Sequence, residues 1–325
     1  MRRPRPRFVV AAVAAACMKQ CVALRTPGGL RLRRRPATAR AAAAVLDETP
    51  LAVDAAAAVD VAAVGAPDAA VAVVPVGAPA KIRRRPEAQG PVPTLALPGD
   101  TLNDEAHMAL AVGTSCLASL WGLLHNAQYV SPTTTACAVV AGLVGAELFS
   151  GVFHWATDNY GSINTPVFGQ ACAAFQGHHG APWTITHRST INNVHKISRA
   201  TGVLSLLAGV LLKPFHAIAA SVLLFGQVCA QEAHRWSHVP PSSQPKFIRR
   251  LQTSGLLLSS VEHGKHHRSP YAEHYCILFG GLNALLDRSG VFRWMERRVF
   301  RFNGVEPNSW KDPIGGPAVR AQALR

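Results

Sequence analysis

The chain carries 14 histidines, and eight of them fall into tight groups. His154 stands four residues before Asp158 in HWATD, and His178 and His179 are adjacent in QGHHGAPW. His234 and His238 are four apart in HRWSH, and His263, His266 and His267 share EHGKHH. Residues i and i+4 lie on one helix face. His154 with Asp158, and His234 with His238, can therefore each point at one metal centre. His263, His266 and His267 converge if their segment is helical. Neutral imidazole suits iron, zinc or copper, whereas magnesium or calcium asks for oxygen ligands. Eight imidazoles exceed the needs of one ion and match two. Asp158 is the candidate catalytic carboxylate, either as a ligand or as an acceptor that orients an imidazole.

The bland alternative for these groups is a polar loop at a membrane surface, which predicts no bound metal. Lone histidines are usually surface or capping residues, and His107, His125, His216 and His274 are read so. His187 and His195 stay open between a structural and a ligand-supporting role. HRWSH lacks the Glu beside its first His that an HExxH zinc protease needs. A zinc-binding membrane protein remains an alternative class. Trp155, Trp183 and Trp236 are read as interfacial anchors or as packing around the metal site.

The elements that must position these groups are apolar. The 325 residues are 49% hydrophobic and 16% charged, and the mean hydropathy is positive. Soluble domains carry about 25% charge, so membrane segments are expected. His107 to Val130 contains no Lys, Arg, Asp or Glu, and Ser131-Pro132 breaks it. Thr133 to Trp155 is a second apolar run with Glu147 as its one charge. A carboxylate at that depth must face the protein interior or lie near an end. Thr201 to Gln231 is apolar apart from Lys213, which precedes Pro214.

The layout repeats: an apolar run ends in a ligand pair at i, i+4, and a dense His cluster follows. Two half-sites facing each other must share a membrane side, so the chain crosses an even number of times between His179 and His234. The 201–231 stretch is about 45 Å as helix, long for one span and short for two. Two short or partly re-entrant passes turning at Lys213-Pro214 are predicted. The expected fold is an all-α integral-membrane bundle of about four short or full passes, with a His-rich di-metal site on one face.

Four regions follow: a targeting segment over 1–45, an Ala/Pro-rich linker read as disordered over 46–101, a membrane domain over 102–313 and a flexible tail over 314–325. The first 44 residues are Arg- and Ala-rich with no acid, the composition of an organelle transit peptide. A secretory signal is the alternative there. The seven cysteines are scattered, with no CxxC pair and no disulfide framework. The net charge of +15 does not suggest nucleic acid, because aromatic residues do not interleave with the arginines. Lys246, Arg249 and Arg250, then Arg288, Arg293, Arg297, Arg298 and Arg301, read as a positive face toward anionic headgroups or as a dock for a small acidic electron donor.

The boxes and the residues between them (Asp158-Asn159-Tyr160-Gly161, Thr165-Pro166, Pro182 to Thr186, Asn283 and Trp310) resemble the Kua/plasmanylethanolamine desaturase family. The likeness is stronger to its plastid palmitate Δ3-trans branch. It covers nearly all of residues 102 to 313. The resemblance implies a di-iron membrane enzyme held by the eight grouped histidines. It implies O₂ and an electron donor, ferredoxin in the plastid branch. It implies removal of two hydrogens from a lipid chain: palmitate on phosphatidylglycerol in the plastid branch, an alkyl ether phospholipid in the other. The first branch implies a chloroplast membrane, and the endoplasmic reticulum is the alternative. His187-Arg188 departs from both branches, so no ligand role passes to His187. A di-iron lipid hydroxylase is the remaining reading, because ligand spacing does not separate the two outcomes.

Overall fold

The structure is a computed structural model and describes residues 88–325, apart from 96 and 98. The targeting segment and most of the expected linker lie outside the described residues. Within them are eleven α-helices, two short 3₁₀ segments and no strand. Four long helices form the body: α1 (Ala106–Ala127), α2 (Pro132–Asn159), α4 (Thr190–Leu211) and α5 (Pro214–Ser237). Between the pairs lie α3 (Gly169–His178) and a 3₁₀ turn over Pro182–His187. After α5 come α6 (Lys246–Thr253), α7 (Ser260–His266), α8 (Asn283–Ser289) and α9 (Val291–Asn303). The short α10 (Asn308–Lys311) and α11 (Gly316–Leu324) complete the chain, the last within the 314–325 segment.

The helix starts are written locally. Ser131 caps α2 by accepting from the Thr134 amide, with Pro132 in the first turn. Ser189 caps α4 through the Asn192 amide, and Ser259 caps α7 through the Glu262 amide. A Ser side chain at the cap satisfies an amide the helix leaves open, and Pro there loses no bond. Pro214 opens α5 in the same way.

Close-approach pairs set the directions. Ser115 bonds Thr201 and Ser119 bonds Ser205, each at 2.8 Å, and Asn126 donates to the Gly209 carbonyl at 3.1 Å. Both numbers rise together, so α1 and α4 run parallel. Gly142 abuts Ala219 and Val222, Gly145 abuts Leu223, and Ala146 abuts Gly226. Thus α2 and α5 are also parallel. The body is two antiparallel hairpins, α1–α2 and α4–α5, set side by side in the same sense. The last turns of α2 and α5 therefore lie at one end. Small residues and paired hydroxyls at such crossings are the packing that works where the surrounding medium is itself apolar.

Helices α1, α2 and α5 are long and apolar enough to cross a membrane. Helix α4 has the same length, but Asn192, Asn193, His195, Lys196 and Arg199 occupy its first turns. Its second half turns Val203, Leu207, Val210 and Leu211 outward, as α1 turns Leu110 and Leu117 and α2 turns Val140 and Val144. The turn at Lys213-Pro214 is where it was expected. The two helices flanking it are not short passes, however, having 22 and 24 residues. Apolar composition marked only the portions beside the turn, and both helices extend away from it into polar residues.

Glu147 faces the interior and accepts from the Phe279 and Leu282 amides at 2.9 and 3.4 Å. Trp155 and Trp236 are buried in protein, not at an interface. Trp155 packs with Tyr275 and Phe292, and Trp236 with Val239 and Ile248. Arg293 does not belong to the positive face. It is buried, paired with Glu296 at 2.6 Å, and that carboxylate also accepts from the Trp310 indole at 2.8 Å.

The α2–α5 contact predicts a clear asymmetry between two glycines. A Cβ on Gly142 would meet the Ala219 carbonyl oxygen at 2.6 Å, whereas one on Gly113 meets nothing within 4 Å. Gly142→Leu should cost at least the ~1–3 kcal/mol of overpacking, seen as a lower melting temperature in detergent. Gly113→Leu should melt as the parent does.

Candidate metal centre

Each ligand-type side chain is delivered by the end of a helix. The last turns of α2 present His154 and Asp158. Helix α5 presents His234, with His238 as its C-terminal cap. Helix α3 ends on His178, with His179 following. Helix α7 presents His263 and His266, with His267 as its cap. The structure brings together all nine residues expected to act at the site.

They divide into two groups. The first is His178, His234, His238, His263 and His267; the second is His154, Asp158, His179 and His266. Within each group the ligand atoms lie within 4.8 Å of one another. In the first, His178 Nε2 is 2.8 Å from His238 Nε2 and 3.1 Å from His234 Nε2. His263 and His267 bring their Nε2 atoms to 3.1 Å. In the second, Asp158 Oδ2 is 3.2 Å from His154 Nε2, 3.3 Å from His266 Nε2 and 3.5 Å from His179 Nε2. The groups adjoin: the His154 and His234 rings are 5.8 Å apart, and those of His263 and His266 are 5.5 Å apart.

The division cuts across the two sequence halves. His178 and His179 serve different groups, as do His266 and His267. Successive residues on a helix point about 100° apart, so an adjacent pair straddles two centres more readily than it chelates one.

Hydrogen bonds outside the groups fix ring orientation. His154 Nδ1 donates to the Tyr275 carbonyl at 2.9 Å, and His266 Nδ1 to the Glu273 carbonyl at 2.8 Å. A carbonyl only accepts, so the proton sits on Nδ1 and the Nε2 lone pair faces inward. Two lone pairs thus face one carboxylate oxygen. His154 Nε2 and both Asp158 oxygens are buried without a hydrogen-bond partner. Buried polar atoms normally have partners, and a cation among these supplies the missing one. The donor set of imidazole nitrogens with one carboxylate suits iron, zinc or copper. The residues therefore fit a metal pair.

Sequence reasoning did not single out the residues that hold this arrangement. Tyr271 stacks on His179 with ring centroids 4.3 Å apart. Tyr275 donates to the Tyr271 carbonyl at 2.9 Å and accepts from Asn159 at 3.0 Å. Phe175 packs on His154 at 5.0 Å. Asn283 accepts from the Cys276 amide at 2.7 Å, fixing the loop that carries Tyr275. Asn159, Asn283 and Trp310 all lie in the stretches that carried the family resemblance, which was the one available signal.

The remaining histidines stay outside the groups. His187 bonds the Gln89 carbonyl at 2.7 Å, and His195 bonds the Asn192 carbonyl at 2.7 Å. His107 and His216 are exposed. His274 is not a surface residue: it bridges Glu262 at 2.7 Å and Asp287 at 3.5 Å.

The structure is a helical bundle with three membrane-length helices and, at one end, paired histidine clusters compatible with metal binding. The lipid desaturase domain family matches residues 143–310, and the chain belongs to that family. It is 43% identical over 180 residues to fatty acid desaturase 4-like 1, chloroplastic, of Arabidopsis thaliana, spanning 55% of this chain and 61% of that protein. It is 44% identical over 181 residues to Arabidopsis fatty acid desaturase 4, chloroplastic, covering 55% of each. It is 32% identical over 209 residues to the plasmanylethanolamine desaturase of Myxococcus xanthus, covering 62% of this chain and 71% of that one. The chain thus spans little more than half the length of the two plant relatives. No solved structure matches it.

Burial holds the His179, His266 and His267 imidazoles down to about 4 and His238 to about 3. They are neutral, metal-ready bases at neutral pH. An unfolded imidazole titrates near 6.5. Below that value the unfolded chain takes up protons that the folded one refuses, so stability falls with pH. The metal-free protein should be at full stability above about pH 6.5 and lose it progressively toward about pH 4. Thermal melts across that range test this, and a flat profile would contradict a buried neutral cluster.

Proposed function

We propose that the chain is a membrane-spanning, O₂-dependent di-iron desaturase that acts on a phospholipid-esterified acyl chain. The paired ligand groups at the ends of the membrane-length helices carry this reading. His178, His234, His238, His263 and His267 would hold one iron, and His154, Asp158, His179 and His266 the other. Bound iron would supply the strong one-electron oxidation that an unactivated methylene needs and no side chain can deliver. The protein's own part is to keep the imidazoles neutral, orient them through carbonyl acceptors and exclude bulk water.

The favoured reaction is formation of a trans double bond at carbon 3 of palmitate on phosphatidylglycerol, in a chloroplast membrane, with ferredoxin or a similar acidic protein as donor. The names of the plant relatives and the acid-free N-terminus support it. Basic side chains on α6 (Lys246, Arg249, Arg250) and α9 (Arg297, Arg298, Arg301) supply complementary charge for such a donor. The second reading is plasmalogen formation on an alkyl ether lipid, with the endoplasmic reticulum as the location; the M. xanthus likeness, which spans most of that protein, favours that chemistry.

Profiling the lipids of membranes that express the chain, with phosphatidylglycerol and a ferredoxin supply, tests both. Trans-3-hexadecenoate is expected, vinyl ethers would select the second reading, and a hydroxylated chain would replace desaturation altogether. His238→Ala and His266→Ala, one from each group, should each lose more activity than the roughly 10–100-fold that removing an outer partner costs. Each should also lower bound iron. Zinc in place of iron, or full activity in either variant, would refute the assignment.

A further inference from the structure

A cavity of about 320 Å³ opens beside the first ligand group. One end is formed by His178, His234 and Phe175, and the other by Asp100, Arg188 and Lys196. Pro93, Thr94, Leu95 and Leu97 close one side. This volume is at the low end for small-molecule sites, about 300–1,000 Å³. It suits a polar head and the first carbons of a chain rather than a whole two-chain lipid.

The cations at the polar end are not equivalent. Arg188 is committed: it grips both carboxylate oxygens of Asp100 and donates to Asn192 Oδ1 at 2.8 Å and the Thr101 carbonyl at 3.4 Å. The Lys196 ammonium stands 3.6 Å from Asp100, with its side chain 44% exposed. Two cations and one carboxylate leave the end with one positive charge, the complement of one phosphodiester. Position agrees. Lys196 precedes the outward apolar stripe of α4, which starts at Val203, by about 10 Å along the axis. That is headgroup level for a chain lying along the stripe.

We propose that this cavity is the head-end subsite of the substrate, in which Lys196 receives the phosphodiester of an anionic phospholipid while the first acyl carbons lie against Phe175 beside His178 and His234. Lys196 is thereby the residue that selects anionic over zwitterionic heads. This rests on the lipid-desaturase reading. A bond formed three carbons from the ester needs the ester close to the ligand groups, and the cavity joins the two.

The test is lipid retention by the full chain in detergent, read by native mass spectrometry, with phosphatidylglycerol and phosphatidylcholine of identical acyl chains. The parent should prefer phosphatidylglycerol by about fivefold, the factor given by ~1 kcal/mol per basic residue near an anionic surface. Lys196→Gln should erase the preference and Lys196→Arg restore it. Lys213→Gln, at the turn between α4 and α5, should leave it intact. A preference that survives Lys196→Gln, or none in the parent, overturns the proposal. So does displacement of the lipid by millimolar glycerol phosphate, which would mark a site for a soluble phosphate ester. Binding needs no turnover. A Lys196-dependent preference in a chain that makes no double bond would refute the function and leave the subsite standing.

Discussion

Eight imidazoles and one carboxylate share a space that is nearly closed to water, and the rest of the fold answers to that fact. Burying polar atoms without partners is costly. Here His154 and His266 spend their protons on backbone carbonyls and turn lone pairs toward Asp158. Cations between the groups would answer those lone pairs and the Asp158 oxygens together. Both irreversible-looking features of the surroundings follow from it: the loop 271–283 must be pinned so that its carbonyls stay in place, and the helix ends must not move relative to one another. Glu147, Asn159 and Asn283 do the pinning, each by answering amides or hydroxyls of the strapped loop.

The bundle meets the same demand at a larger scale. Two hairpins set in the same sense bring the last turns of α2 and α5 to one end, where the connection 160–189 supplies His178 and His179. The hydroxyl pairs between α1 and α4, and the glycine contacts between α2 and α5, hold this register where the hydrophobic effect offers little, since outward leucines and valines would be as content against lipid as against protein. Polar side chains inside the bundle therefore set position, and apolar ones outside it set depth.

Much of this was legible in the sequence. HxxxD and HxxxH fix a helix face by spacing alone, and Lys213-Pro214 marks a turn because proline starts a helix more easily than it continues one. What could not be read was which imidazole pairs with which. His178 and His179 look like one chelating unit, yet they diverge because helical neighbours do. Nor could the flanking helices be given their length, since Asn192 to Arg199 and Glu232 to Arg235 lie outside the apolar stretch from Thr201 to Gln231. Trp155 and Trp236, left open between an interface and the metal site, and Arg293, placed on the positive face, needed the fold for a related reason. Composition assigns an indole or a guanidinium to an interface, and only the fold shows that Glu296 has drawn Arg293 and two indoles inside.

Dividing adjacent histidines between the groups has a mechanical consequence. Helix α3 and the residue after it give one imidazole to each group, and α7 with its cap gives two to the first and one to the second, so a shift of α3 or α7 disturbs both at once. The centres are nevertheless unlike. The first is built of imidazoles only, and two of its members, His178 and His234, line the cavity. The second contains the one carboxylate and is backed by Tyr271 and Tyr275. The cavity is lined by members of the all-imidazole group, while the group with the carboxylate packs against aromatic rings. Cavity and carboxylate are thus divided between neighbouring residues, His178 lining the one and His179 facing the other.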